Sequence, residues 1–387
     1  MTRLLPDTVE LAEARRLVVE HGWNATCYQI LNPGIARWFS GRRDAVVGFV
    51  THAGYRVVAG APVCAAERLA EVVEEFEQAT HRLGLWSCYF AADERLAATL
   101  ASRGPLDRIL LGAQPTWDPA SWPSILAGKA SLRAQLNRAR NKGVAVTRWP
   151  RARALEHQEL QRCLDEWLAT RGLPPLHFLV EPETLGRLYD RRVHVAEQDG
   201  RVVGFLVASP IPRRDGWLIE QIIRGAAAPN GTSELLLDAA WTDLAALGAR
   251  SVTLGLSPLS RRAGLEAPRQ ALWIRALLGW MRAHGRRFYD FDGLDAFKAK
   301  FVPEAWEPIY AITSARRVGL GTLWAIAEAF GDMSPPRLVL RALQRAAGRE
   351  LQWLWGRLRL GRLQLGRMRS RRPRPSSTGT EPPRGGP

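Results

Sequence analysis

The chain has 387 residues, 46% of them hydrophobic and 24% charged, and a formal net charge of +16. This balance excludes wholesale disorder and collagen-like repeats, and the length predicts two or three domains whose core needs neither metal nor disulfide. Cys27, Cys64, Cys88 and Cys163 stand far apart with no CxxC pair, which argues against a zinc knuckle or a disulfide framework and for a reducing compartment. The N-terminal stretch lacks an apolar secretory core, and no run approaches about 18 apolar residues, so neither a signal peptide nor a membrane span is expected.

Taken in chain order, Asp44–Thr51 and Tyr55–Ala59 read as short β-branched strands paired around a glycine turn. An amphipathic helix is expected over 65–83, with Leu69, Val72, Val73 and Phe76 on its apolar face and Gly84 as its stop. Leu85–Phe90 is the next strand, and the Pro- and Trp-rich run 114–124 reads as a connector. Ser131–Lys142 is a basic helix closed by Gly143, followed by a strand at 144–148 and a helix at 155–169. Residues 193–197 and 201–208 flank an Asp-Gly turn and form a hairpin. Trp217–Arg224 is a strand, Ser233–Leu247 a helix entered through Pro229-Asn230-Gly231, and Ser251–Leu256 a strand that ends before Pro258.

This order resembles an acyltransferase fold of the GNAT type, and the first 115 residues repeat a shortened version of the same plan. The expected fold class is therefore α/β (α+β): tandem GNAT-like units at 1–115 and 116–315, a basic helical tail at 316–372 and a disordered end at 373–387.

The charge belongs mostly to the tail. From Met333 onward thirteen Arg face only Glu350 and Glu381, a net +11, which leaves +5 for the first 332 residues. Arg337, Arg341, Arg345 and Arg349 recur every four residues, and Trp353, Trp355 and several Leu follow among further Arg without acids. This composition suits an interfacial helix on an anionic membrane surface through residues 337–372. RNA contact and a solvated helix packed on the domain are the alternatives. Lysine is rare: Lys129, Lys142, Lys298 and Lys300 are the four among 54 basic residues. Where Arg is the default, a Lys marks a position that wants a compact ammonium.

Nucleophile elbows, Walker sequences and HExxH motifs are absent, and the histidines lack metal-ligand spacing, so no metal or other cofactor is expected. The turn Arg224–Glu234 (RGAAAPNGTSE) leads into a helix N-terminus, a place suited to anions. Its register differs from the R/Q-x-x-G-x-G/A turn that cradles coenzyme A, and Pro229 removes a backbone donor. Helix capping by Asn230 and Thr232 is the structural reading of the same residues.

Five segments carry a family resemblance: NPG…YRVVAGAPV (32–63), SLRAQLNRARNKGVAV (131–146), IEQIIRGAAAPNGTSELL (219–236), LGLSPLS (254–260) and GLDAFKAKFVPEAWEPIYAI (293–312). Together they resemble the cytosolic catalytic domain of phosphatidylglycerol lysyltransferases, the aminoacyl-phosphatidylglycerol synthases of the multiple-peptide-resistance type, without the N-terminal multi-span flippase region usual in that family. The resemblance implies transfer of an aminoacyl group, lysyl or alanyl, from aminoacyl-tRNA to phosphatidylglycerol. It also implies a cytoplasmic protein, peripheral at the inner face of the plasma membrane. A family Asp–x–x–Arg pair falls on Gln221 and Arg224, so the Arg matches and the acid does not. Glu220, one residue earlier, is expected on the opposite face of its strand. Asn230, Gly231 and Glu234 match the N-G-x-x-(D/E) turn, and Ser257, Lys298, Lys300, Trp306, Glu307 and Tyr310 match the remaining signature.

An aminoacyl ester is already activated, so the enzyme must align a hydroxyl and stabilise an oxyanion rather than supply a nucleophile. Arg224, Gln221, Glu234 and Lys298 are the catalytic candidates, with Arg224 and Lys298 suited to the lipid phosphate or the oxyanion. Asn230, Gly231, Ser257, Lys300, Glu307 and Tyr310 are the substrate-binding candidates; Glu234 or Glu307 would meet the amino acid's ammonium. Lys298 and Lys300 read equally as a solvated strand edge, and Trp306 reads as core. Arg133, Arg138 and Lys142 on the basic helix are tRNA-contact candidates, or a solvated face. The competing functions are an N-acyltransferase using acyl-CoA and a non-catalytic membrane- or RNA-binding relative.

Overall fold

The computed structural model describes residues 9–170, 177–264, 290–315 and 317–331, with a few isolated positions beyond them. Of the expected tail, 316–372, residues 317–331 are described and hold an apolar helix over Leu320–Gly331 that buries Ala325 and Ala329 in the core, not a basic one; the rest of the tail and the end at 373–387 lie outside the described residues apart from Arg337 and Gly386.

The first half opens with helix α1 (Val9–His21), then strands β1 (Ala36–Phe39), β2 (Val46–His52) and β3 (Tyr55–Ala59), helix α2 (Leu69–His81), strand β4 (Trp86–Ala92), helix α3 (Glu94–Ala101) and strand β5 (Arg108–Trp117). Short helices α4 (Trp122–Gly128) and α5 (Ala130–Arg140), strand β6 (Ala145–Trp149) and helices α6 (Arg151–Ala154) and α7 (Gln158–Ala169) lead into the second half. There β7 (Arg192–Gln198), β8 (Arg201–Ile211) and β9 (Gly216–Arg224) precede helix α8 (Thr232–Ala246), β10 (Ser251–Thr253) and β11 (Ser257–Pro258). Helix α9 (Phe291–Ala299), strand β12 (Ala305–Thr313) and helix α10 (Leu320–Gly331) complete the described chain.

The described strands all belong to one sheet, ordered β1-β2-β3-β4-β12-β5-β10-β9-β8-β7-β6, with β11 beside β5. The two halves repeat one plan. In each, a run of antiparallel strands, three in the first half and four in the second, is followed by a crossover helix, α2 or α8, and a parallel partner, so that β4 lies parallel to β3 and β10 parallel to β9. Each half then gives its last strand to the other: β5, which follows α3, pairs with β10, and β12, which follows α9, pairs with β4. The donated strands pair with each other from Ala305↔Thr116 to Ile312↔Arg108 and close the middle of the sheet. The boundary expected at 115/116 lies inside β5.

The run 114–124, expected as a connector, is instead the end of a central strand and the start of α4. Pro115 stands where the neighbour of β5 changes from β10 to β11, so its missing N–H falls at a break in that ladder. The tryptophans are core. Trp122 and Trp241 lie 4.5 Å apart between ring centroids, and Trp117 and Phe301 pack on Trp241. The indole N–H of Trp122 donates to Asp238 and that of Trp117 to the Phe301 carbonyl, whereas the buried Trp241 N–H has no acceptor among the described residues. Helix α2 buries Leu69, Val72, Val73 and Phe76 as its spacing predicts. In the β7–β8 hairpin Asp199 and Gly200 both have positive φ, the geometry of a two-residue primed turn.

Candidate active site

Among the described residues β10 pairs with β9 over three residues, Ser251↔Gly216 to Thr253↔Leu218, and then the chain turns away. Strand β9 continues to Arg224 with β8 on one side and, among the described residues, no strand on the other. The C-terminal half of β9, the N-terminus of α8 and the segment after β10 thus frame a notch at the parallel pair, the place in an α/β sheet where ligands are commonly received.

A bulge shapes this stretch. In the β8–β9 ladder Val207 faces Gln221 and the next residue, Ala208, faces Ile219, so Glu220 is the extra residue. The alternation expected for Glu220 therefore fails, and it reaches the same side of the sheet as Gln221. Its carboxylate receives Arg191 Nε at 3.1 and 3.2 Å, with side-chain exposures of 3% for Glu220 and 0% for Arg191. Arg191 also donates to Asn32 Oδ1 and to the Arg187 carbonyl, both at 2.7 Å. Gln221 Nε2 donates to the carbonyls of Glu181 and Pro182, and its Oε1 accepts from Thr184 Oγ1.

Arg224 ends the strand with an exposed guanidinium 3.5 Å from Asn230 Oδ1. Asn230 does not cap α8. The cap position is Gly231, at φ +98°, and no side chain closes the first turn; Thr232 Oγ1 instead donates to the Pro229 carbonyl. Glycine is required at 231, because a Cβ would lie 2.1 Å from the Gln135 carbonyl of α5. The first turn of α8 consequently stands beside α5 with the helix dipole's positive end toward Arg224.

Helix α9 spans the notch with two lysines that reach in different directions. Residues 298 and 300 lie at the end of a helix rather than on a solvated strand edge. Lys298, 4% exposed, donates to the carbonyls of Gly255 and Leu256 at 2.8 and 2.9 Å and so holds the chain where it leaves β10. Burial pushes its ammonium down to about 7, against a weaker opposing pull from Asp295. One helical turn earlier, Asp295 accepts from Ser257 Oγ and from Arg262 Nε. Burial favours its neutral form, but these bonds, with Ser260, hold the carboxyl below its ordinary range. Lys300 forms an ion pair with Glu234 in the first turn of α8 and lies 3.5 Å from Gln135 Oε1 and over the Phe297 ring. Trp306 is half-buried, with the Arg262 guanidinium over its ring at 5.3 Å.

The remaining predicted residues lie elsewhere. Glu307 takes a two-pronged contact from Arg214 and a bond from Gln114 at the centre of the sheet. Tyr310 is buried in the core around α2 and α3, donates to Glu94 and is covered by Arg108, so the structure does not bring it to the notch. Arg133 donates to the Leu126 and Ala127 carbonyls and closes α4, whereas Arg138 and Lys142 are exposed on and just after α5. Sequence reasoning missed Asp295, Arg262, Gln135, Thr184 and Arg191. An Asp three residues before Lys298 on a helix was the readable signal for the first; the others arrive from distant segments. Among the described residues no group of three or more His, Cys, Asp or Glu is arranged to hold a metal ion.

This architecture is a mixed α/β sheet of two halves that repeat one plan and exchange a strand, with a polar notch in the second. The family model for the C-terminal region of phosphatidylglycerol lysyltransferase matches residues 15–313, and the chain belongs to that family. A phosphatidylglycerol lysyltransferase of Bacillus subtilis (strain 168) is 25% identical over 328 residues, which is 83% of this chain and 37% of the relative, so the chain spans little more than a third of that protein's length. Among solved structures, a C-terminal domain described as that of a lysylphosphatidylglycerol synthetase from Agrobacterium fabrum superposes with TM-score 0.70 at 24% identity, over 83% of this chain and 97% of the other. The L-PGS structure from Bacillus licheniformis gives TM-score 0.66 at 21% identity, over 78% and 90%. At these identities the two structures establish the fold.

Proposed function

We propose that the chain is an aminoacyltransferase that moves an aminoacyl group from aminoacyl-tRNA to a glycerol hydroxyl of phosphatidylglycerol at the cytosolic membrane face. The observation that carries this reading is family membership over a span that contains the whole notch. The exposed guanidinium of Arg224 beside the α8 N-terminus suits a lipid phosphodiester, which would set the glycerol hydroxyl against the incoming ester. Lys298 is enclosed and committed to two carbonyls, so its part is to hold the turn that carries Ser257. Glu234 and Glu307 are each already paired with a cation, which argues against either as receptor for the amino acid's ammonium.

The test is a transfer assay with the full chain, phosphatidylglycerol vesicles and a pool of radiolabelled aminoacyl-tRNAs. Label in the lipid fraction supports the reading and names the amino acid; its absence with intact esters refutes it. A second reading, a non-catalytic relative, is favoured by the engagement of both polar atoms of Gln221 with the 181–184 turn, and predicts vesicle binding without transfer. Membrane contact is assigned to residues 337–372 on their composition. Deleting 340–387 should release the chain from anionic vesicles, most clearly at low salt; retained binding would refute that assignment. Among the described residues no helix is long and apolar enough to cross a membrane.

A further inference from the structure

Among the described residues β9 has no strand neighbour on its β10 side from Ile219 onward, where it runs to its end at Arg224. Support there comes from the face of the sheet. Gln221 Nε2 donates to the Glu181 and Pro182 carbonyls at 2.9 Å each, and its Oε1 accepts from Thr184 Oγ1 at 3.2 Å. The turn it holds is itself well ordered. Glu183 N–H donates to Glu181 Oε1, Thr184 N–H donates to the Pro182 carbonyl, and His177 Nδ1 lies 3.0 Å from Glu181 Oε2. Thr184 is 1% exposed, and Leu185 and Leu188, just beyond it, are core residues. The buried Arg191–Glu220 pair secures the preceding residue of the strand to the same segment and, through Asn32, to the first half.

An amide of glutamine length meets two carbonyls and one hydroxyl here. A carboxylate of the same shape would turn an oxygen toward both carbonyls, with no proton to offer them. We propose that Gln221 is a positioning residue whose carboxamide straps the 181–184 turn to the β9 bulge and so directs the strand end that presents Arg224. This rests on the transfer reading above, and the bulge is what makes it available: with regular alternation Glu220 would point away, and the strap and the ion pair would not share a face.

Two variants of the full chain test it, Gln221→Glu, which keeps shape and loses both donors, and Thr184→Val, which keeps shape and loses the third bond. Hydrogen exchange of the Glu183 and Thr184 amides should accelerate about 10- to 100-fold in Gln221→Glu and by a smaller factor in Thr184→Val. In the transfer assay kcat should fall about tenfold or more in Gln221→Glu while KM for aminoacyl-tRNA moves less than about twofold, because a positioning role at the Arg224 end of β9 acts on alignment of the acceptor rather than on tRNA binding. Unchanged exchange in Gln221→Glu overturns the strap. Faster exchange with unchanged kcat overturns its role in positioning, and a higher kcat overturns it in favour of an acid at 221. If the wild-type chain transfers nothing, the transfer reading fails by itself, and the exchange rates still decide the strap. Should Gln221→Glu fail to fold, Thr184→Val carries both measurements.

Discussion

The two halves of the sheet use one plan and end their parallel pairs differently. In the first, β3 and β4 stay in register for five residues up to Ala59↔Phe90, and Gly60 N–H extends the contact to the Phe90 carbonyl. The end of that pair is filled. Asn24 donates to the Ala91 carbonyl and accepts from Thr26, and a Cβ on Gly60 would lie 2.3 Å from Thr26 Oγ1. In the second half three pairs form, Gly255 turns at φ +70°, and Lys298 removes two carbonyls of the departing chain from any ladder. A closed pair makes a scaffold; the opened one leaves, among the described residues, a strand edge with no strand beside it next to a helix N-terminus. The difference lies in a few residues at one strand end, where a buried ammonium does what further strand pairing does in the other half.

The sharpest way to break this comparison is at Arg224. Arg224→Ala should lower transfer at least about 100-fold with the fold intact, since a charge-assisted contact to phosphate is lost and nothing in the core changes. Equal activity per folded molecule would move the site elsewhere. Asn24→Ala, at the matching end of the first half, should cost about 1–3 kcal/mol of stability through unmet buried partners and leave transfer per folded molecule unchanged. Calorimetry alongside the transfer assay separates the two.

The next effect concerns pH. Lys298 titrates near 7 when folded, well below its unfolded value, so the unfolded chain binds the extra proton as pH falls. The wild-type chain should therefore lose stability relative to Lys298→Met as pH is lowered from about 10 to 7. His194 behaves alike in a lower window. Burial drives it down to about 4, outweighing Asp243, so stability relative to His194→Gln should fall between pH 6.5 and 4. Chemical denaturation across pH reads both slopes, and parallel curves for variant and parent would remove the group concerned from the account. The smallest effect is expected at Arg138 and Lys142. Each change to Ala should weaken tRNA binding a few-fold and reduce the salt slope by about one if these side chains meet phosphates. Arg133→Ala, already engaged with α4, should leave the slope alone and lower stability instead.

Much of this was readable in the chain. Apolar spacing marked α2, the Asp-Gly pair marked the β7–β8 hairpin, and Gly143 marked the end of the basic helix, because each depends on contacts within a few residues. Short-range pattern also set Asn230 and Gly231 at the entry of α8 and gathered the residues that carry the family resemblance. What failed was whatever depends on a distant partner. The Pro- and Trp-rich run looked like a connector because Pro115 weakens a strand locally, whereas its tolerance comes from a change of neighbour supplied by residues 251–258.

The sequence by itself determined that this is an α/β chain with two related halves, with a glycine turn at 224–234 that enters a helix. Tertiary structure alone decided that the halves exchange strands, that Glu220 shares a face with Gln221, that Lys298 is enclosed while Lys300 pairs with Glu234, and that Tyr310 belongs to the other half's core. The physical reason is range. Periodicity and turn chemistry act over three to seven residues, whereas a bulge, a swapped strand and the burial of a charge are set by pairing between segments from tens to more than two hundred residues apart.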